Sequence, residues 1–163
     1  MTRPLRSERG FALIEMLAAI VLINIGILAM LLALSSGVVT LRRSAQLSTA
    51  SVVADKQIEQ YRAMTYSSVY LDTTSLTSTD STYRSDAAYS ATQVSQTCSP
   101  LVSACTPSQT IAGPDGRSYR VDTYVVSVTP AGGRAVKQVT VVVRKAGTTA
   151  TLARALSTFD QDF

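Results

Sequence analysis

Apolar residues gather near one end of this chain. From Phe11 to Leu34 the only ionisable side chain is Glu15, and the only other strongly polar group is Asn24. Met16–Leu34 is a 19-residue stretch without a charge. At about 1.5 Å per residue, a helix from Phe11 to Leu34 spans roughly 36 Å, enough to cross a bilayer core of about 30 Å. Beyond Leu34 the period changes but the element continues. Leu47, Ala50, Ala54, Ile58, Tyr61 and Met64 recur at spacings of three and four, which places them on one helical stripe. Lys56, Gln57, Glu59, Gln60 and Arg62 fall on the other faces. No proline interrupts residues 5–99. The pattern therefore predicts one helix from about Phe11 to Met64, roughly 80 Å long, apolar all round in its first half and amphipathic in its second. Gly26, Ser35, Ser36 and Gly37 are its points of local looseness.

Residues 65–116 are rich in Ser, Thr, Tyr and Asp and read as a long connecting region with some short strands or turns, one of them around Ser90–Val94. Gly113-Pro114-Asp115-Gly116 signals a turn. In Ser118–Thr129 the alternation runs through Val121, Thr123 and Val125, then slips towards Val126 and Val128, which a bulge would accommodate. After a turn at Pro130–Gly133, residues 135–145 put Val139, Val141 and Val143 on one face, with Gln138, Thr140, Val142 and Arg144 on the other. Gly147 precedes a third extended piece at about Ala150–Phe159. Three strands joined by short turns predict an antiparallel meander whose apolar face needs a cover. The stripe ending at Ile58, Tyr61 and Met64 supplies one. The fold class expected is α+β: a long N-terminal helix packed on a C-terminal antiparallel sheet of about three or four strands.

Charge and composition narrow the function. The formal net charge is +4, and removing the three arginines and Glu8 of residues 1–10 leaves +2. Without a concentrated basic patch in the distal half, nucleic acid is an unlikely partner in charge terms. There is no histidine, which excludes Ser-His-Asp and Cys-His arrangements. Asp115 and Asp122 are the remaining candidate carboxylate pair, although strand and turn aspartates are usually solvated. Cys98 and Cys105, with six residues between them, cannot make a four-ligand zinc site without histidine. For an exported domain they read as a disulfide; the alternative is two unpaired thiols on a flexible segment. No cofactor or metal site is expected. Arg3, Arg6 and Arg9 should hold the extreme N-terminus in the cytoplasm, while Arg42 and Arg43 argue weakly the other way.

Gly10-Phe11-Ala12-Leu13-Ile14-Glu15, after a short basic leader and before an apolar helix, resembles the N-terminal motif of type IV pilins and the pseudopilins of type II secretion. The resemblance is specific over about residues 6–34 and beyond that extends only to layout. It implies that a membrane prepilin peptidase cuts between Gly10 and Phe11, that the new amine of Phe11 is methylated, and that Glu15 serves assembly. It also implies single-pass residence in the cytoplasmic membrane, N-terminus inside, with the distal domain exported and later carried in a pilus or pseudopilus. The partners implied are other pilin or pseudopilin subunits and the pilus assembly platform. The apolar segment lacks the proline of many major pilins. Its Asn24-Ile25-Gly26 instead resembles minor pilins of the PilV kind and the corresponding secretion pseudopilin. The domain organisation that follows is a leader at 1–10, a membrane and assembly helix at 11–36, the amphipathic half at 37–64, the connecting region at 65–116 and the sheet at 117–163.

Three other readings compete. Glu15 would be an interfacial residue in an ordinary single-pass anchor of a surface binding protein. Alternatively, the apolar run would be a secretory signal ending near Ala33-Leu34-Ser35, although it is longer than the usual 7–15 residues and carries Glu15. A competence pilus role would require Arg117, Arg120, Arg134, Lys137, Arg144 and Lys145 to cluster on one sheet face.

Overall fold

In the computed structural model the described residues are 9–161, the first four of them by backbone alone. The leader expected at 1–10 therefore lies largely outside the described residues. The chain divides into two compact units, with the boundary between Ser44 and Ala45. Helix α1, Arg9–Arg62, is unbroken across that boundary. Its last turn closes through the amides of Ala63 and Met64, which donate to Glu59 and Tyr61 at 3.1 Å each.

The second unit is the α+β body. Strands β3 (Ser108–Ala112), β4 (Ser118–Val128), β5 (Val136–Lys145) and β6 (Thr151–Phe159) form an antiparallel sheet in sequential order. Each of its three hairpin turns has a glycine at positive φ: Gly116 at 70°, Gly132 at 76° and Gly147 at 73°. That conformation burdens any residue bearing a Cβ. One sheet face presents Tyr119, Val121, Val125, Val139, Val141 and Val143 to Ala50, Val53, Ala54, Ile58 and Tyr61 of α1. Ala50 and Ala54 lie one helical turn apart, and both are buried in this core. At about 25 cal/mol per Å² of apolar area, each fully buried valine contributes on the order of 1.5–3 kcal/mol. The amphipathic stripe and the valine alternation thus meet as expected.

The connecting region holds short strands and turns, and short helices besides. It builds a second layer over the other sheet face. Two-residue strands β1 (Leu71–Asp72) and β2 (Ser95–Gln96) pair in parallel, and the short helices α2 (Thr73–Thr77) and α3 (Ser81–Arg84) follow β1. Asp72 caps α2 by accepting from the Ser75 amide at 2.7 Å, and Asp80 caps α3 through the Tyr83 amide at 2.9 Å. Those caps aim Tyr83 inward, where it packs with Tyr124 and Val142 in a second small core.

This second cover corrects the reading of β4. No bulge occurs near Val126; β4 pairs with β5 in constant register from Tyr119 to Val128. The alternation blurs because both faces are buried, with Asp122 and Tyr124 inside as fully as Val121 and Val125. The one register shift in the sheet lies between Val143 and Arg144, opposite β6.

Candidate functional site

The N-terminal part of α1 carries the candidate processing and assembly residues. No proline interrupts it, and three of its polar side chains bond to the backbone of their own helix. The Asn24 amide donates to the Ile20 carbonyl at 2.9 Å, the Ser35 hydroxyl to Leu32 at 2.9 Å and the Thr40 hydroxyl to Ser36 at 3.0 Å. Such internal satisfaction is what a segment placed in hydrocarbon requires. The helix is long and apolar enough to cross a membrane, with a mean hydropathy of 2.8 over its most apolar window. Its large apolar side chains are exposed on every face, from Leu13 to Leu41. A continuous apolar surface of that length calls for a cover of lipid or of other helices. Gly26 and Gly37 have nothing within 4 Å of where a Cβ would stand, so neither is needed for packing inside this chain.

Glu15 sits one helical turn after Phe11 and projects, exposed, among Leu13, Ile14, Met16 and Leu17. Among the described residues it has no hydrogen-bond or ion-pair partner. Gly10 and Phe11 belong to the first turns of α1 by backbone.

The distal unit arranges its charges inward. Asp122, expected to be solvated, is fully buried: its side chain is 0% exposed, and that of Arg144 beside it 4%. Arg120 Nε donates to both Asp122 oxygens, at 2.8 and 3.1 Å, and the Ser108 hydroxyl donates at 2.6 Å. Arg144 bridges Asp122 and Asp86, and Arg154 reaches Asp86 at 2.8 Å. Arg120 continues the chain outward to Asp80 at 2.6 Å. Its hydrogen bond holds the Asp80 carboxyl down at about 2, helped by the Tyr83 amide. Asp115 does not meet Asp122: it accepts from the Tyr119 hydroxyl at 2.6 Å, and Tyr119 points to the opposite sheet face. The suggested carboxylate pair is therefore absent. Of the six distal cations named above, Arg120 and Arg144 are taken up by these aspartates, as is Arg154. A signal for this network was present in the sequence, in the charges at 120, 122 and 144 interrupting valine-rich strands.

Cys98 and Cys105 are joined by a disulfide. The loop they close is docked on α1 and β1. Tyr61 donates its hydroxyl to the Ala104 carbonyl, Gln57 donates to the Ser103 carbonyl at 3.3 Å, and the Cys98 amide donates to Asp72 at 3.0 Å.

Residues 5–31 match the family described as the prokaryotic N-terminal methylation motif, the signal carried by type IV pilins and pseudopilins. No curated protein and no solved structure matches the chain.

Proposed function

We propose that the chain is a structural subunit, a minor pilin or a pseudopilin, that is stored in the cytoplasmic membrane and joins a type IV pilus-like fibre through α1. A prepilin peptidase cuts between Gly10 and Phe11, and the distal unit is exported. The observation that carries this reading is Glu15, the lone carboxylate of the exposed apolar stretch of α1 from Leu13 to Leu34, within the matched motif.

A carboxylate in hydrocarbon costs several kcal/mol unless it is neutralised or paired. Near the cytoplasmic interface Glu15 stays hydrated while the subunit waits. In a bundle of helices that relief is lost, and the amine that cleavage creates at Phe11 of a neighbouring subunit is the natural partner. Desolvated ion pairs add little net affinity but penalise misplacement heavily, so the pair sets axial register. Before cleavage the amine does not exist, and the precursor inserts without polymerising. Glycine at Gly10 leaves the peptidase cleft unobstructed.

The absence of proline from the apolar segment and its Asn24-Ile25-Gly26 stretch favour a minor or initiating subunit over the bulk one. Intact mass and N-terminal sequencing of the native protein test the processing step. A methylated Phe11 start is expected; retention of Met1, or a start near Ser36, overturns it. The abundance of the chain relative to other subunits in sheared fibres tests the minor role.

A further inference from the structure

The turn joining α2 to α3, the start of β3 and Arg120 of β4 enclose a cavity of about 300 Å³ in the distal unit. We propose that this cavity binds one ring of a neutral sugar through the sugar's hydroxyl groups.

The lining is a set of hydroxyls around one ion pair. Ser75, Ser78, Thr79, Thr106 and Ser108 surround Asp80 and Arg120. The protons of these hydroxyls are already committed inside the protein. Ser78 donates to the Ser75 carbonyl at 2.9 Å, Thr79 to the Leu76 carbonyl at 2.9 Å and Thr106 to the Val102 carbonyl at 3.0 Å. Ser108 donates to Asp122 at 2.6 Å, and the Ser75 hydroxyl bonds the Asp72 carboxylate. A hydroxyl carries one proton and two lone pairs, so what these groups keep for a ligand is acceptor capacity. Each Arg120 nitrogen is turned to a carboxylate: Nε to Asp122 at 2.8 Å, and Nη1 and Nη2 to Asp80 at 2.6 and 2.7 Å. The matching ligand is one rich in O–H donors.

Charge and size narrow it further. The charged groups of the lining, Asp80 and Arg120, pair with each other and leave no net charge to draw an ion. Arg84 stands outside the lining, donating to the Thr79 hydroxyl at 3.4 Å and the Thr77 carbonyl at 3.0 Å. The volume lies at the small end of the usual range for ligand cavities, about 300–1,000 Å³, which suits one ring rather than a chain. Pro107 adds an apolar patch for the C–H side of that ring. The acceptors are also held in place beforehand. Asp80 is fixed by capping α3, Thr106 by the adjoining disulfide at Cys105, and Ser108 by Asp122. A set arranged in advance loses little conformational freedom on binding. The site draws on the distal unit alone, so neither cleavage nor fibre assembly bears on it.

Saturation-transfer NMR on the full chain tests it, in dodecylphosphocholine micelles, whose headgroup is not a sugar. The probes are D-glucose, D-galactose and D-mannose at millimolar concentration, with D-glucuronate and D-glucosamine as charged comparators. Transfer to at least one neutral sugar is expected, and it should exceed transfer to either charged one. Thr106→Val and Ser78→Ala each remove one acceptor and should weaken binding about fivefold. Ser157→Ala, at another cavity, should leave it unchanged. Ser78 is exposed and Thr106 half-buried, and an unchanged thermal midpoint shows that each variant keeps the fold. No transfer to any of the three neutral sugars, transfer to a charged sugar as strong as to the best neutral one, or undiminished binding by both variants overturns the proposal.

Discussion

Tyr83 and Tyr124 stack with ring centroids 4.4 Å apart and planes 25° from parallel, and the Tyr124 hydroxyl donates to the Tyr83 carbonyl at 2.9 Å. The Tyr83 hydroxyl in turn donates to the Thr123 carbonyl at 2.6 Å. A residue from the Ser/Thr-rich region is thereby fastened to the central strand of the sheet. Tyr124→Phe removes one buried donor and should cost about 1 kcal/mol. Tyr83→Ala removes the ring as well and should cost about 3–5 kcal/mol. Urea unfolding of the detergent-solubilised protein measures both, and equal costs would mean that the stack adds nothing.

The buried ion pairs should be costly to halve and cheap to replace. Asp122→Ala leaves Arg120 and Arg144 facing each other across adjacent strands and should destabilise by about 3–5 kcal/mol. The double variant Asp122→Leu, Arg144→Met should lose less than the sum of its single changes. A double-mutant cycle by denaturant titration reads the difference, and strict additivity would show the pair uncoupled.

Acid should weaken the distal unit in a defined window. Arg120 depresses the Asp80 carboxyl to about 2, below its usual range. A depressed carboxyl stabilises the fold above its unfolded value of about 4 and loses that contribution as pH falls through the folded value. The backbone amides of Cys98 and Ser75 likewise lower Asp72. Asp80→Asn should therefore reduce the urea midpoint at pH 6, with the gap to the parent protein closing as pH falls from about 4 to about 2. A gap constant with pH would contradict the charged role of Asp80.

Glu15→Ala should be cleaved normally yet be recovered in sheared fibres at about a tenth of the parent level or less, because the register-setting charge is gone. Immunoblots of membrane and sheared fractions compare the two steps. Normal recovery would remove Glu15 from assembly.

Gly10→Val should trap the uncleaved precursor in the membrane, since a β-branched side chain obstructs the scissile approach. Intact mass of the membrane fraction reads it directly, and an unchanged mature mass would refute it.

The parts legible in sequence are those where one period dominates. The stripe from Ala50 to Tyr61 and the alternation of Val139, Val141 and Val143 each face a single core, so spacing alone assigned them. The second layer was not legible, because its contacts are made by polar side chains without a period. Tyr83 is placed by an aspartate cap on a four-residue helix, and Asp122 is buried by arginines on neighbouring strands. Burial of Asp122 and Tyr124 on the reverse face also made β4 look out of step when its register is constant. Strand β3 was hidden within the polar region, its five residues being half-covered. At the N-terminus, Gly10, Phe11 and Glu15 stood out as a motif in register before an apolar helix, and they lie within the stretch matched over residues 5–31.

Because α1 supplies the residues that roof the valine face, the distal body keeps its core only if a cut leaves Ala50–Tyr61 attached to it. Trimming by a protease beyond about Ala50 would strip the roof and leave a sticky sheet, whereas a nick nearer Ala45 would release a body that keeps its lid. Any soluble form found outside cells should therefore begin before Ala50, and fragments starting later should be found only as aggregates.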